Sequence, residues 1–128
     1  MRLLLDTQIV YWWMFEPARV PSPAITLIGQ TEDDTLVSRA TQWEMAIKIA
    51  NGKLRIDFPK FCAQVVTDGF SWLAIESRHL LHVAAMPAFA DHKDPFDRLL
   101  VAQSMTEPLI LLTADSKLAR YGSTVRVV

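Results

Sequence analysis

Leu3-Leu4-Leu5-Asp6-Thr7 opens the chain with three branched apolar residues, an acid and a hydroxyl. A short apolar run that ends abruptly in polar residues is the pattern of a strand buried on both faces. Similar runs recur at Thr35–Val37, Trp72–Ile75, Leu109–Leu112 and Val125–Val128, and the first is best drawn from Arg2 to Leu5. Longer segments with helical spacing separate them. Strands alternating with helices indicate an α/β fold, three layers deep, with a mostly parallel central sheet.

Capping signals mark the helices. Ser22-Pro23 and Asp94-Pro95 each pair a capping residue with a proline suited to the first helical position. Ser77 is placed to cap a helix holding Leu80, Leu81 and Val83, and Gly52 and Gly69 stand where helices should stop. Pro87 to Lys93 reads as a loop leading into Asp94. No repeat or linker divides the 128 residues, so a single domain over 1–128 is expected.

Composition narrows the function. About half the residues are hydrophobic and the formal net charge is −1, so no global positive field advertises nucleic acid. Any basic surface must be local. Cys62 is the only cysteine, which excludes an intrachain disulfide and fits a reducing cytoplasm. The first apolar run is too short for a signal sequence, and no stretch reaches the roughly 20 apolar residues of a membrane span.

Four acids stand out: Asp6 in LLLDT, Glu44 in SRATQWEMAIK, Asp97 in DPFDRLLVAQ and Asp115 in LLTAD. Asp6 and Asp115 follow strands, so in a parallel sheet both lie on the edge where α/β folds bind ligands. Glu44 is expected beside an inward stripe of Ala40, Trp43, Ile47 and Ala50, and Asp97 beside Phe96, Leu99, Leu100 and Gln103. Carboxylates gathered there repel one another unless a proton or cation intervenes. A hard divalent cation suits oxygen ligands and points to metal-assisted chemistry on phosphate. Each acid also has a plainer reading: Asp6 and Asp115 as helix caps, Asp97 as a first-turn acid and Glu44 as a surface acid.

At these residues the chain resembles the PIN domain family, and within it the VapC-like toxins of type II toxin–antitoxin modules. The likeness runs through LLLDT, VSRATQWEMAIK with NGKL, GFSWLAI, HKDPFDRLLVAQS and LLTADSKLARYG, in order and spacing. It implies an endoribonuclease dependent on Mg²⁺ or Mn²⁺, with the acidic quartet on Asp6, Glu44, Asp97 and Asp115. Thr7 and Thr113 match accompanying hydroxyl residues. Asp6 and Asp97 are then the best metal ligands, Asp115 a ligand or holder of a water, and Glu44 the group that orients the attacking water. The resemblance also implies RNA as substrate, a cognate antitoxin as partner, and a homodimer. Gln8 departs from the histidine of many relatives, and Arg39 stands where a small residue is common, which bears on RNA docking.

Other residues admit two readings. Asp94 is best explained as a cap, while Arg98 could meet phosphate or pair with an acid. His79 and His82 suit surface or packing roles, and His92 could line the site. Lys48, Lys53, Arg55 and Lys60 read as a solvated helix end, with contact to an RNA backbone as the alternative. Tyr11 to Phe15 form an apolar run too continuous for one helix face, so part of it is core and the rest a candidate partner surface. Met45 and Ile49 either pack on a second element of the domain or meet a twin subunit or an antitoxin helix. The competing functions are a phosphotransferase with Asp6 as nucleophile and a non-catalytic interaction module.

Overall fold

In a computed structural model describing residues 1–128, five strands form one sheet. They are β1 (Leu3–Leu5), β2 (Thr35–Ser38), β3 (Ser71–Leu73), β4 (Ile110–Thr113) and β5 (Val125–Val127). The order is β3-β2-β1-β4-β5, and every pairing is parallel. The expected strands are all present, with ends displaced by one or two residues. The sheet is wholly rather than mostly parallel, because a helix separates each strand from the next on at least one crossover.

Register distributes the side chains by the period of two. Leu4, Leu36 and Leu111 face one core, and Leu3, Leu5, Val37 and Leu112 face the other. Helices α1 (Thr7–Phe15), α2 (Ser22–Gln30) and α4 (Phe58–Thr67) supply Ile9, Val10, Ala24, Phe61 and Val65 to the second core. Helices α5 (Ser77–Ala85) and α6 (Pro95–Thr106) cover the opposite face, α6 contributing Leu99 to Ala102. Helix α3 (Arg39–Ala50) bridges the layers, with Ala40 in one core and Met45 in the other. This is the expected three-layer α/β/α arrangement.

The helix ends refine the expectations. Asp94 caps α6, its Oδ1 accepting from the Phe96 and Asp97 amides at 2.9 and 3.0 Å. Ser22 is the first residue of α2 rather than its cap, and Pro21 takes the capping position without a side-chain bond. Ser77 is likewise inside α5; the cap is Glu76, whose amide donates to His79 Nδ1 at 3.0 Å. Gly52 and Gly69 do stop α3 and α4, each with positive φ.

A buried polar network braces the layers beside the sheet edge. Ser38 caps α3 through the Ala40 amide and donates to Gln103 Oε1 at 2.6 Å. Gln103 Nε2 reaches the Ala74 carbonyl and His79, and His79 Nε2 lies 3.2 Å from Glu107. His79 is therefore a fully buried packing residue, as its plain reading held.

Candidate metal centre at the sheet switch point

The chain turns from β1 to β2 on one side and reaches β4 on the other, so the strand order reverses between β1 and β4. Open parallel sheets place ligands outside the carboxyl ends of such strands. Asp6 follows β1 and Asp115 follows β4 by two residues. The Asp6 amide donates to the Leu112 carbonyl at 3.0 Å, which continues the ladder up to the acid. Both carboxylates thus reach the same crevice for topological reasons.

Asp6 is 5% exposed. Its Oδ1 accepts from the Ile9 amide at 2.9 Å, and its Oδ2 accepts the hydroxyl of Thr113. It caps α1 and lines the crevice at once, so the two readings of this acid coexist. Asp115 does the same. It accepts from the Lys117 amide at 3.0 Å, starting the 3₁₀ turn Ser116–Tyr121, while its own amide donates to Thr113 Oγ1.

Asp97 projects from the first turn of α6. His92 Nε2 stands 3.3 Å from its Oδ2, and His92 Nδ1 stands 2.9 Å from the Tyr121 hydroxyl. One ligand atom each from His92, Asp97 and Asp115 can be chosen with all three within 4.8 Å of one another. This set includes His92, which the sequence placed only near the site, and leaves out Asp6 and Glu44, which line the cavity without joining it. The loop of His92 gave no metal-binding spacing, and a long-range packing contact with Tyr121 sets its position.

Glu44 completes the enclosure from α3, paired with Lys48 at 3.1 Å. Glu44, Lys48, Asp94, Asp97, Asp6 and Asp115 all line one open cavity of about 410 Å³, with Thr7, Gln8, Trp12 and Ala114 as further walls. All four acids singled out in the sequence converge here. Thr7 Oγ1 is 2.9 Å from Thr41 Oγ1, tying α1 to α3 at the rim.

Several sequence expectations need correction. Trp43 and Ile47 do not face inward; Trp43 is 54% exposed and packs edge-on against Phe96. The buried face of α3 is Ala40, Thr41 and Met45. Of the two readings of Met45, the structure bears out packing within the domain: it is 2% exposed in the second core. The buried face of α3 lies about a third of a turn from the expected stripe, because α3 has apolar residues all round and composition does not select a face. Arg98 pairs with no acid. It donates to the Pro87 carbonyl at 2.8 Å and to the Tyr121 hydroxyl, tying the loop before α6. Arg39 lies over the Trp72 ring at 4.2 Å, outside the acidic cavity. Lys48 is an exposed residue in the last turn of α3, as its plain reading held, and also a wall of that cavity.

The electrostatics test whether these groups suit a cation. Burial pushes the Asp6 carboxyl above its ordinary range, and the charge of Asp115 adds to the shift, against the stabilising bonds from Thr113 and Ile9. Burial and the neighbouring Asp94 push Asp97 up to about 6, with Asp6 contributing and His92 opposing. Each of these carboxylates is costly to ionise beside the others. A hard cation relieves that cost, and a donor set of carboxylate oxygens with one imidazole fits a divalent ion.

An all-parallel α/β/α sheet with a carboxylate cluster at its switch point defines an open α/β protein whose acids stand where such sheets bind ligands. The chain belongs to the PIN domain family, whose pattern matches residues 3–123. It is 26% identical over 128 residues to "Ribonuclease VapC22" of Mycobacterium tuberculosis (strain ATCC 25618 / H37Rv), covering 93% of this chain and 91% of that protein. Its fold is similar to VapBC2 from Rickettsia felis bound to a promoter DNA fragment, at TM-score 0.68 and 11% identity, covering 100% of this chain and 98% of the other. A toxin–antitoxin complex from Klebsiella pneumoniae matches at TM-score 0.67 and 17% identity, covering 98% and 96%. VapBC-1 from nontypeable Haemophilus influenzae matches at 0.65 and 19%, covering 94% and 92%. At those identities the structural likeness speaks for the fold. No helix is long and apolar enough to cross a membrane.

Proposed function

We propose that the chain is a metal-dependent endoribonuclease, the toxin of a type II toxin–antitoxin module, acting as one domain over residues 1–128 in the cytoplasm. The observation that carries this reading is the convergence of Asp6, Glu44, Asp97 and Asp115 on one cavity. Membership of the PIN domain family and the likeness to a protein named as a ribonuclease along nearly the whole chain support it.

In this reading Asp6 and Asp97 hold Mg²⁺ or Mn²⁺, and Asp115 is a ligand or holds a water. His92 is a further donor, or orients Asp97 through the 3.3 Å contact. When bound, the ion supplies positive charge opposite the phosphodiester oxygens. Glu44 orients the attacking water and accepts its proton at a carboxylate oxygen, with Lys48 holding that carboxylate in place. Thr113 fixes the Asp6 carboxylate by donating its hydroxyl.

The two competing readings lose ground. A nucleophilic Asp6 would usually have a second Asp soon after it and a basic residue aimed at phosphate, and Thr7-Gln8-Ile9 offers no such acid. Capping by Asp6, Asp94 and Asp115 does not make the chain a passive module, because the caps share one cavity.

The proposed partners are a homodimeric copy and an antitoxin helix. Trp13, Met14, Phe15 and Phe61 line a groove of about 410 Å³ between α1 and α4, with Phe15 40% exposed. An amphipathic helix would seat its anchors there. A basic residue from the antitoxin reaching the acidic cavity would displace the ion and block RNA.

The test is RNA cleavage by the purified, antitoxin-free protein. Cleavage that requires Mg²⁺ or Mn²⁺, stops with EDTA and is lost in Asp97→Asn is the expected result. A fully metal-loaded protein that leaves a broad panel of RNAs intact overturns the reading.

A further inference from the structure

A second cavity, about 250 Å³, adjoins the acidic one and shares Thr7, Gln8 and Lys48 with it. Its remaining walls include Tyr11, Lys53 and Leu54, and no carboxylate lines it. The charge of the surface therefore inverts across Lys48, from acidic to basic. Lys48 is held by Glu44 at 3.1 Å. Lys53 has no carboxylate within ion-pair distance, so its charge is available to a ligand.

The end of α3 builds this arrangement. Gly52 takes φ +73°, its amide bonds the Ile49 carbonyl at 3.1 Å, and the Lys53 amide bonds the Lys48 carbonyl at 2.8 Å. These two bonds are a Schellman turn, which reverses the chain against the last helical turn. Lys53 is thereby folded back beside Lys48, although five positions separate them along the chain. The free lysine is set by backbone geometry that a left-handed glycine permits.

We infer that the Lys48–Lys53 cavity is a subsite for a phosphodiester of single-stranded RNA adjacent to the one in the acidic cavity. A polyanion laid across carboxylates is repelled everywhere except where a cation neutralises it. The strand therefore leaves the acidic cavity on the side where Lys48 and Lys53 stand. A lysine contact to phosphate positions the strand without reading its sequence. Gln8 and Thr7 offer neutral hydrogen-bonding groups at the junction of the two cavities. The subsite rests on the ribonuclease reading for its place in a reaction, though not for its affinity for a polyanion.

The test uses the full chain, antitoxin-free, and a fluorescein-labelled single-stranded oligoribonucleotide of mixed sequence. Binding is followed by anisotropy over a salt series with Ca²⁺ in place of Mg²⁺, and cleavage kinetics are measured separately with Mg²⁺. Lys53→Ala is expected to weaken binding about three- to tenfold, and to shrink the salt slope by about 0.7, the value for one single-strand phosphate contact. It should raise KM and leave kcat unchanged. Lys53→Arg should restore most of the affinity, and Arg126→Ala, exposed on the edge strand β5 and outside both cavities, should change nothing. Wild-type affinity and slope in Lys53→Ala overturn the subsite, as does an equal loss in Arg126→Ala or a wild type that binds no oligonucleotide. If the wild type cleaves RNA and Lys53→Ala matches it, the subsite alone falls. If binding depends on Lys53 but no RNA is cleaved, the ribonuclease reading falls and the phosphate subsite stands.

Discussion

Thr113 donates its hydroxyl to Asp6 across a sequence separation of 107 residues, at the point where β1 and β4 pair. The bond favours the ionised form of a carboxyl that burial disfavours. Thr113→Val keeps the shape and removes the donor. The buried carboxylate then becomes harder to ionise, and Mn²⁺ affinity at pH 7 is expected to fall about three- to tenfold, the equivalent of roughly 1 kcal/mol for a lost hydrogen bond. Isothermal titration checks this; unchanged affinity would show that Asp6 is not a ligand.

Asp97, pushed up to about 6, sets a pH dependence. Its folded value lies above the unfolded one, so its contribution to apo stability is fully present below about pH 3.8 and is lost as pH rises through about 6. The total is on the order of a few kcal/mol. A cation requires the ionised form, so metal binding has the opposite dependence and weakens as pH falls below about 6. Melting curves at pH 5 and pH 7.5, in EDTA and in excess Mn²⁺, should show a large metal-induced rise in Tm only at the higher pH.

Glu44→Gln should leave the fold intact and reduce RNA cleavage by at least about a hundredfold, the lower range for a lost general base. The Glu44–Lys48 pair lies at the cavity mouth with Lys48 half-exposed, so its loss costs stability about 1 kcal/mol or less. Asp94→Asn should be milder, because Asn also caps α6. Comparable rates for Glu44→Gln and wild type would remove Glu44 from the reaction, and a greater loss in Asp94→Asn would transfer the role within DPFDR.

His92 links Tyr121 to Asp97. His92→Ala should lower Mn²⁺ affinity about 10- to 100-fold, the range for a ligand or a group that orients one. Tyr121→Phe retains the ring packing and frees His92 Nδ1, so a smaller loss is expected. Titration of both variants with Mn²⁺, alongside circular dichroism to verify folding, tests the order; equal affinity in all three proteins would confine His92 to packing.

Phe15→Asp places a charge in the groove between α1 and α4 and is expected to abolish antitoxin binding while sparing RNA cleavage. Light scattering with the product of a neighbouring small open reading frame measures the first, and cleavage by the free toxin the second. A strict monomer that ignores that product would remove both proposed protein partners.

The strands and their terminal acids were legible from local pattern, because burial on both faces demands the unbroken runs at Leu3–Leu5 and Leu111–Leu112. Parallel pairing then puts Asp6 and Asp115 on one edge without further information, since all strands of such a sheet point the same way. The inward face of α3 was not legible. Trp43 and Met45 are both large and apolar, and only the assembly of the second core with residues of α1 and α4 decided that Met45 is buried and Trp43 is not. His92 and Arg98 show the same limit. Their partners lie 29 and 23 residues away at Tyr121, and the closure of that loop against the 3₁₀ turn, a long-range packing event, determines where each side chain points. Local periodicity therefore specifies elements and their polar ends, whereas the membership of the site depends on distances that exist only once the layers have packed.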